Sequence, residues 1–172
     1  VEEHIGQSQG QFTEFLLGKP ASDKRIGKAY DIASAEGKIY VLDRAYKRLL
    51  IIDLVQRKFD YLRDQRMGTL DDPSGIWVTE DDIKYVADMG RKQIVVLGAD
   101  NQFLRSYGGP DLFDKPVDVA VYKNTVYVCG MDKSKIFALD KASGQPKWAI
   151  GTTGQAVGQF AKPSHLVVDH QG

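Results

Sequence analysis

Two sets of residues recur along this 172-residue chain at a spacing that bears on chemistry. The first stands two places beyond a recurring proline or its substitute: Asp31, Gly75, Asp118 and His165. Carboxylates and imidazoles are metal ligands and proton carriers, so two Asp and one His brought together would begin a metal or acid–base site. The same carboxylates would otherwise line a wet cavity or accept backbone amides. The second set is cationic: Arg44, Lys47 and Arg48, then Arg91 and Lys92, then Lys133 and Lys135. Guanidinium forks and ammonium charges along one rim would hold an anionic ligand. In the structural alternative, Arg48 and Lys135 satisfy carbonyls or carboxylates between repeats and the others are solvated. Asp43 and Asp88 end apolar runs and suit turn-capping. His4 and His170 stand alone, and the chain has no Gly-rich phosphate loop, nucleophile elbow or HExxH helix.

What must position these residues is a repeat. Gly37-Lys38-Ile39-Tyr40-Val41-Leu42-Asp43, Asp82-Ile83-Lys84-Tyr85-Val86-Ala87-Asp88 and Asn124-Thr125-Val126-Tyr127-Val128-Cys129-Gly130 share a Tyr-Val centre preceded by polar and apolar residues, with tyrosines 45 and 42 residues apart. Pro73, Pro116 and Pro163 recur at 43 and 47, and Ala29 holds that place in the first copy. Each proline precedes a short apolar strand: Gly75 to Val78, Asp118 to Val121, His165 to Val168, with Asp31 to Ala33 in the first copy. After each Tyr-Val strand come a charged turn, a β-branched run (Leu49 to Asp53, Ile94 to Leu97, Ile136 to Asp140) and a fourth strand (Phe59 to Leu62, Phe103 to Tyr107, Lys147 to Ile150). Four short strands per period in the low forties predict a β-propeller blade rather than a sandwich or an α-solenoid. Near-continuous runs such as Leu49-Leu50-Ile51-Ile52 are then core, apolar on both faces because each blade lies between two others.

Composition narrows the rest. Lys plus Arg number 23 and Asp plus Glu 23, a formal net of +0, which removes the broad cationic field of nonspecific nucleic-acid binding. No apolar run approaches the roughly 18 residues that span a bilayer. The lone Cys129 excludes an internal disulfide and is expected to be buried. Ser8-x-x-Gln11 has capping-box spacing, and Phe12, Phe15 and Leu16 follow at helical intervals before Gly18 and Pro20. A short amphipathic helix covering a face or edge is expected there rather than a membrane-surface helix. The sequence opens on Val1, so a removed leader is an expectation, and it stops where a fourth copy has only begun.

The segment Gly154 to Gly172, with its Gly-x-x-x-Gly-Gln-Phe-x-x-Pro opening, resembles an NHL repeat, and the Tyr-Val-x-Asp motif resembles its centre. More narrowly, the Phe12 and Leu16 helix with Gly18-Lys19-Pro20 and the first repeat resembles bacterial six-bladed NHL propellers that are exported or lipid-anchored. Ala29 for proline, Cys129-Gly130 for Ala-Asp, and a single fourth-copy strand depart from that pattern. The expected organisation is an all-β propeller of four-stranded antiparallel blades, about three plus the first strand of a fourth. An N-terminal strand and helix would occupy 1–25 and blades 26–68, 69–112, 113–158 and 159–172.

The resemblance implies that post-proline strands are innermost and begin on the face to which second strands return. Asp31, Asp118 and His165 would then stand at the mouth of a central channel, with Arg44, Lys47, Arg91 and Lys92 on the same rim. The leading expectation is a non-enzymatic scaffold for a protein, peptide or polysaccharide, needing no cofactor or metal. The alternative is a metal-dependent lyase or lactonase, with further ligands from blades outside this chain. RNA binding, known for some NHL domains, is disfavoured by the charge balance. Three blades leave open edges, so a homodimer completing the ring or a longer parent chain is expected, in an extracytoplasmic compartment.

Overall fold

The computed structural model describes residues 26–62 and 66–169. The expected N-terminal strand and helix, His4 and His170 lie outside the described residues.

Among the described residues, twelve strands form three antiparallel sheets in strict chain order. Sheet I holds β1 (Ala29–Ala35), β2 (Lys38–Asp43), β3 (Arg48–Asp53) and β4 (Lys58–Tyr61). Sheet II holds β5 (Pro73–Val78), β6 (Lys84–Asp88), β7 (Gln93–Leu97) and β8 (Phe103–Tyr107), and sheet III holds β9 (Pro116–Tyr122), β10 (Thr125–Gly130), β11 (Lys135–Asp140) and β12 (Pro146–Ile150). One 3-10 turn, Arg66–Gly68, joins the first two sheets.

Local chemistry explains the repetition. Tyr40, Tyr85 and Tyr127 occupy one register, opposite Ala33, Trp77 and Ala120 of the inner strands. The β2–β3, β6–β7 and β10–β11 turns each span four residues and end on a left-handed residue: Lys47 at φ 51°, Lys92 at 58° and Ser134 at 51°. Every inner strand also carries a register shift at the same place, around Tyr30, Ser74 and Val117, a bulge that re-aims the start of the strand.

The sheets pack face to face. Tyr40, Leu42 and Leu49 of sheet I meet Ile76, Val86, Val95 and Leu97 of sheet II. From the other face of sheet II, Tyr85, Ala87, Ile94 and Val96 meet Val119, Val121, Val126 and Val128 of sheet III. Alternate residues of one strand thus serve two interfaces, which is why these strands lack polar alternation.

The outer side of sheet III is different: β12 is exposed throughout. Residues 163–169 run alongside without joining a ladder, where the sequence suggests a strand. An inner strand needs a second strand to pair with, and none stands there among the described residues.

Cys129, opposite Asp118 in β9, is fully buried, and burial first, then the Asp118 charge, pushes its thiol up to about 12. It is therefore expected to ignore a disulfide reagent at pH 8 in the folded chain and to react stoichiometrically in denaturant. Rapid native labelling, followed spectrophotometrically, would contradict the packing described for β10.

Candidate functional site

One face of the three sheets gathers the starts of the inner strands and the four-residue turns. Carboxylates hold it together, buried in the first two copies and exposed in the third. Asp43 accepts the N–H groups of Gly27 and Lys28 at 3.0 Å each, just ahead of β1. Asp88 accepts those of Asp71 and Asp72 at 2.7 and 2.9 Å, just ahead of β5. Both cap their own turns as well, three residues on, through Tyr46 and Arg91 N–H. The third copy ends on Gly130, and Asp132 takes over, accepting Asp114 and Lys115 N–H at 3.2 and 3.0 Å. Burial alone would raise Asp43, but its three amide donors and Arg48 hold it below the usual carboxylate range.

Asp31 and Asp118 reach across to the following repeat. Asp31 accepts Ile76 N–H at 2.8 Å, and Asp118 accepts Leu166 N–H at 2.9 Å. Each also accepts the amide of its own successor, Ile32 or Val119. Gly75 stands at the equivalent place in sheet II, where a Cβ would fall 2.6 Å from Asp118 Oδ1 and 2.7 Å from its Cα. His165 Nδ1 lies 3.6 Å from Asp118 Oδ2, with its side chain 73% exposed to solvent. Burial raises the Asp118 pKa, more than its amide donors lower it, and Asp31 adds to the rise. Asp31, Asp118 and His165 therefore act within one electrostatic neighbourhood.

The cations are mostly paired across repeats rather than solvated. Arg44 forks onto Asp72 at 2.5 and 2.8 Å and stacks 4.8 Å from the Tyr30 ring centre. Lys47 meets Asp71 at 2.5 Å, and Lys92 meets Asp114 at 2.9 Å. Arg91 donates to the Thr69 carbonyl and Lys133 to those of Asp111 and Leu112. Arg48 lies 3.5 Å from Asp43 and over the rings of Tyr46 and Tyr61. A groove of about 680 Å³ on this face is lined by Tyr30, Arg44, Met89, Lys92, Lys115 and Met131, among others. It takes in Arg44 and Lys92 but not Asp31, Asp118, His165, Lys47 or Arg91.

A second polar cluster joins sheets I and II at the opposite end of the strands. Asp82 accepts from Lys38 at 2.7 Å, from the Tyr40 hydroxyl, and from Lys84 at 2.9 Å. Lys84 is buried, and desolvation lowers its pKa although Asp82 opposes the shift. It also donates to the Gly98 carbonyl at 3.2 Å. Sequence reasoning missed this cluster. Its signal was the lysine at a register held by Ile39 in β2 and Val126 in β10. Among the described residues, no group of three His, Cys, Asp or Glu side chains is placed to hold a metal ion.

No family model and no curated protein sequence matches this chain. Its architecture is similar to that of solved propeller-type proteins. Hydrazine synthase from Kuenenia stuttgartiensis aligns at TM-score 0.61 and 13% identity, covering 79% of this chain and 39% of that one. Apo AztD from Citrobacter koseri aligns at 0.59 and 18%, covering 79% and 38%. A streptogramin B lyase aligns at 0.55 and 15%, covering 67% and 38%. The fold is an incomplete β-propeller. The three sheets are its blades, and the chain spans under two fifths of the length of each of these three neighbours.

The raised Asp118 carboxyl has a direct consequence for stability. Its folded pKa lies above the unfolded value near 3.8, so folding favours the protonated form. That contribution is complete below the unfolded pKa and is lost as pH rises through the folded one. In Asp118→Asn the pH-dependent part disappears, while one amide acceptor is lost at every pH. Thermal midpoints measured across pH 3 to 7 are expected to show a wild-type advantage over Asp118→Asn that shrinks as pH rises. Parallel curves, or an advantage that grows, would contradict the burial assigned to Asp118.

Proposed function

We propose that this chain is part of a non-enzymatic propeller scaffold whose turn-bearing face binds a protein or peptide segment carrying carboxylates and apolar side chains. One observation supports this reading above others: the polar groups of that face are spent on blade-to-blade bonds, while the groove between them stays open. Asp31, Asp43, Asp88 and Asp118 are engaged by backbone amides. What the groove offers a ligand is surface: the Tyr30 ring, the Met89 and Met131 side chains, and the cation Lys115 beside the Lys92–Asp114 pair. Lys115 forms no ion pair among the described residues. Adaptable methionines and a ring beside point charges suit an acidic, partly apolar partner better than a small molecule. NHL-type repeats, a six-bladed parent ring and an extracytoplasmic location belong to the same proposal.

The second reading, a metal-dependent enzyme of lyase or lactonase type, draws on the Asp118 and His165 pair and on the likeness to a streptogramin B lyase. It requires ligands from beyond the described residues.

A labelled panel of acidic and basic peptides of equal apolar content, read by fluorescence anisotropy, separates these readings. Acidic peptides are expected to bind, and Lys92→Glu with Lys115→Glu to weaken them at least tenfold while the thermal midpoint stays within a few degrees. Binding that ignores peptide charge or the double substitution would overturn the scaffold reading. Binding or turnover abolished by a chelator and restored by zinc would favour the enzyme.

A further inference from the structure

Between blades II and III, at the end of the strands away from the four-residue turns, lies a cleft of about 430 Å³. Both walls are complete blades of this chain, with Tyr85, Val96 and Arg105 on one side and Lys123, Asn124 and Lys141 on the other. Its counterpart between blades I and II holds Lys38, Tyr40 and Asp82. Cross-strand pairing makes the two places equivalent. Tyr40, Ile51 and Asp60 stand side by side across β2, β3 and β4, as Tyr85, Val96 and Arg105 do across β6, β7 and β8. On the facing blade, Asp82 and Asn124 each stand three residues ahead of their own tyrosine.

The same seat is thus built twice, with opposite charge. Asp53, Asp60, Asp82 and Asp100 line the first cleft, whereas three cations and, among the described residues, no carboxylate line the second. The tyrosines differ accordingly. The Tyr40 hydroxyl donates to Asp82, which Lys38 and Lys84 also hold. Tyr85 is only 2% exposed, yet its hydroxyl has no hydrogen-bond partner among the described residues. Asn124, at the place of Asp82, turns its side-chain amide to Asp140 at 3.0 Å. Burial, then the neighbouring Tyr107 and Asp81, pushes the Tyr85 pKa up to about 12, so the hydroxyl keeps its proton at neutral pH. A buried donor without a partner is costly, and an acceptor brought by a ligand removes that cost. The cations stand ready for it. Lys123 lies over the Tyr122 ring and Lys141 at the β11–β12 turn, and neither forms an ion pair among the described residues. Arg105 donates to the Ala142 carbonyl at 2.7 Å, a bond that spans the cleft and steadies its guanidinium there. Asp140, the acid beside Tyr107, is already taken by Asn124, Ser143 and Lys147.

We propose that this cleft binds a small organic carboxylate with an apolar body, its carboxylate accepting from the Tyr85 hydroxyl and held by Arg105, Lys123 and Lys141. Asp82 is the internal precedent: one interface earlier, a carboxylate accepts the equivalent tyrosine and is held by two lysines. Ile83, Val96 and Leu104 supply the apolar part of the lining, which inorganic phosphate would leave without contact. The cleft has the size of a small-molecule site. It is separate from the turn-bearing face and independent of the function proposed there.

The probe is sodium benzoate, titrated into the full chain carrying isotopically labelled tyrosine rings and followed by nuclear magnetic resonance. The expected result is a saturable shift of the Tyr85 ring signals, with benzamide binding at least tenfold more weakly. Tyr85→Phe removes one hydrogen bond to a charged group and is expected to weaken benzoate at least tenfold by calorimetry. Should Tyr85→Phe disturb the fold, Lys123→Gln with Lys141→Gln, both on surface turns, is expected to give the same loss. Three results would overturn the proposal: no saturable shift at Tyr85, equal binding of benzamide or of inorganic phosphate, or benzoate affinity unchanged by both sets of substitutions.

Discussion

The structure depends on a carboxylate that accepts two consecutive backbone N–H groups just ahead of each inner strand, buried in the first two copies and exposed in the third. Asp43 and Asp88 have no exposed surface, and a buried carboxylate left without its amide donors would lose at least the roughly 1–3 kcal/mol of an unsatisfied buried polar group. Because the carboxylate also caps the following turn, one side chain ties together the last residue of the second strand, the start of the first and the loop between blades. The direction of the inner strand, and with it the lining of the groove, follows from that tie. Nothing in the apolar packing alone would set this direction, since hydrophobic contact is non-directional.

Around this constraint the copies diverge without losing the fold. Blade III ends its second strand on glycine and recruits Asp132 from the adjoining turn to the same two amides. Blade II replaces the cross-blade aspartate by Gly75, where the Asp118 backbone comes too near for a side chain. On the opposite face the first interface carries the Lys38, Tyr40, Asp82 and Lys84 cluster. Burial and the neighbouring Asp82 together raise the Tyr40 pKa, so its hydroxyl remains a donor. Removing one partner of such a buried pair would leave an uncompensated charge and be strongly destabilising. Among the described residues, this buried cluster distinguishes the I–II contact from the packing of blade II on blade III.

Much of the architecture was legible because a repeat reports itself twice, through tyrosine and through proline. The strands, their order and the shared register of Tyr40, Tyr85 and Tyr127 follow from that pattern and from apolar runs too continuous for a solvent-facing sheet. The site was less legible. That Asp31 and Asp118 stand two places past the landmark was visible in the sequence. That each carboxylate reaches the next blade's amide was not, because the contact joins residues 45 and 48 apart. Cations expected to be solvated proved to be paired because acids just ahead of the next inner strand, Asp71, Asp72 and Asp114, come within reach only when blades stack. The role of Asp132 was equally hidden, since it lies outside the motif whose missing aspartate it replaces.

Residue-resolved amide hydrogen exchange on Asp88→Asn tests the central constraint most directly. Asparagine keeps the shape of the side chain but offers one acceptor oxygen in place of two. Faster exchange at Asp71, Asp72 or Arg91, with Val86 and Val95 still protected, is the result this account predicts. Unchanged exchange at all three amides would show that the buried carboxylate does not hold the start of the inner strand.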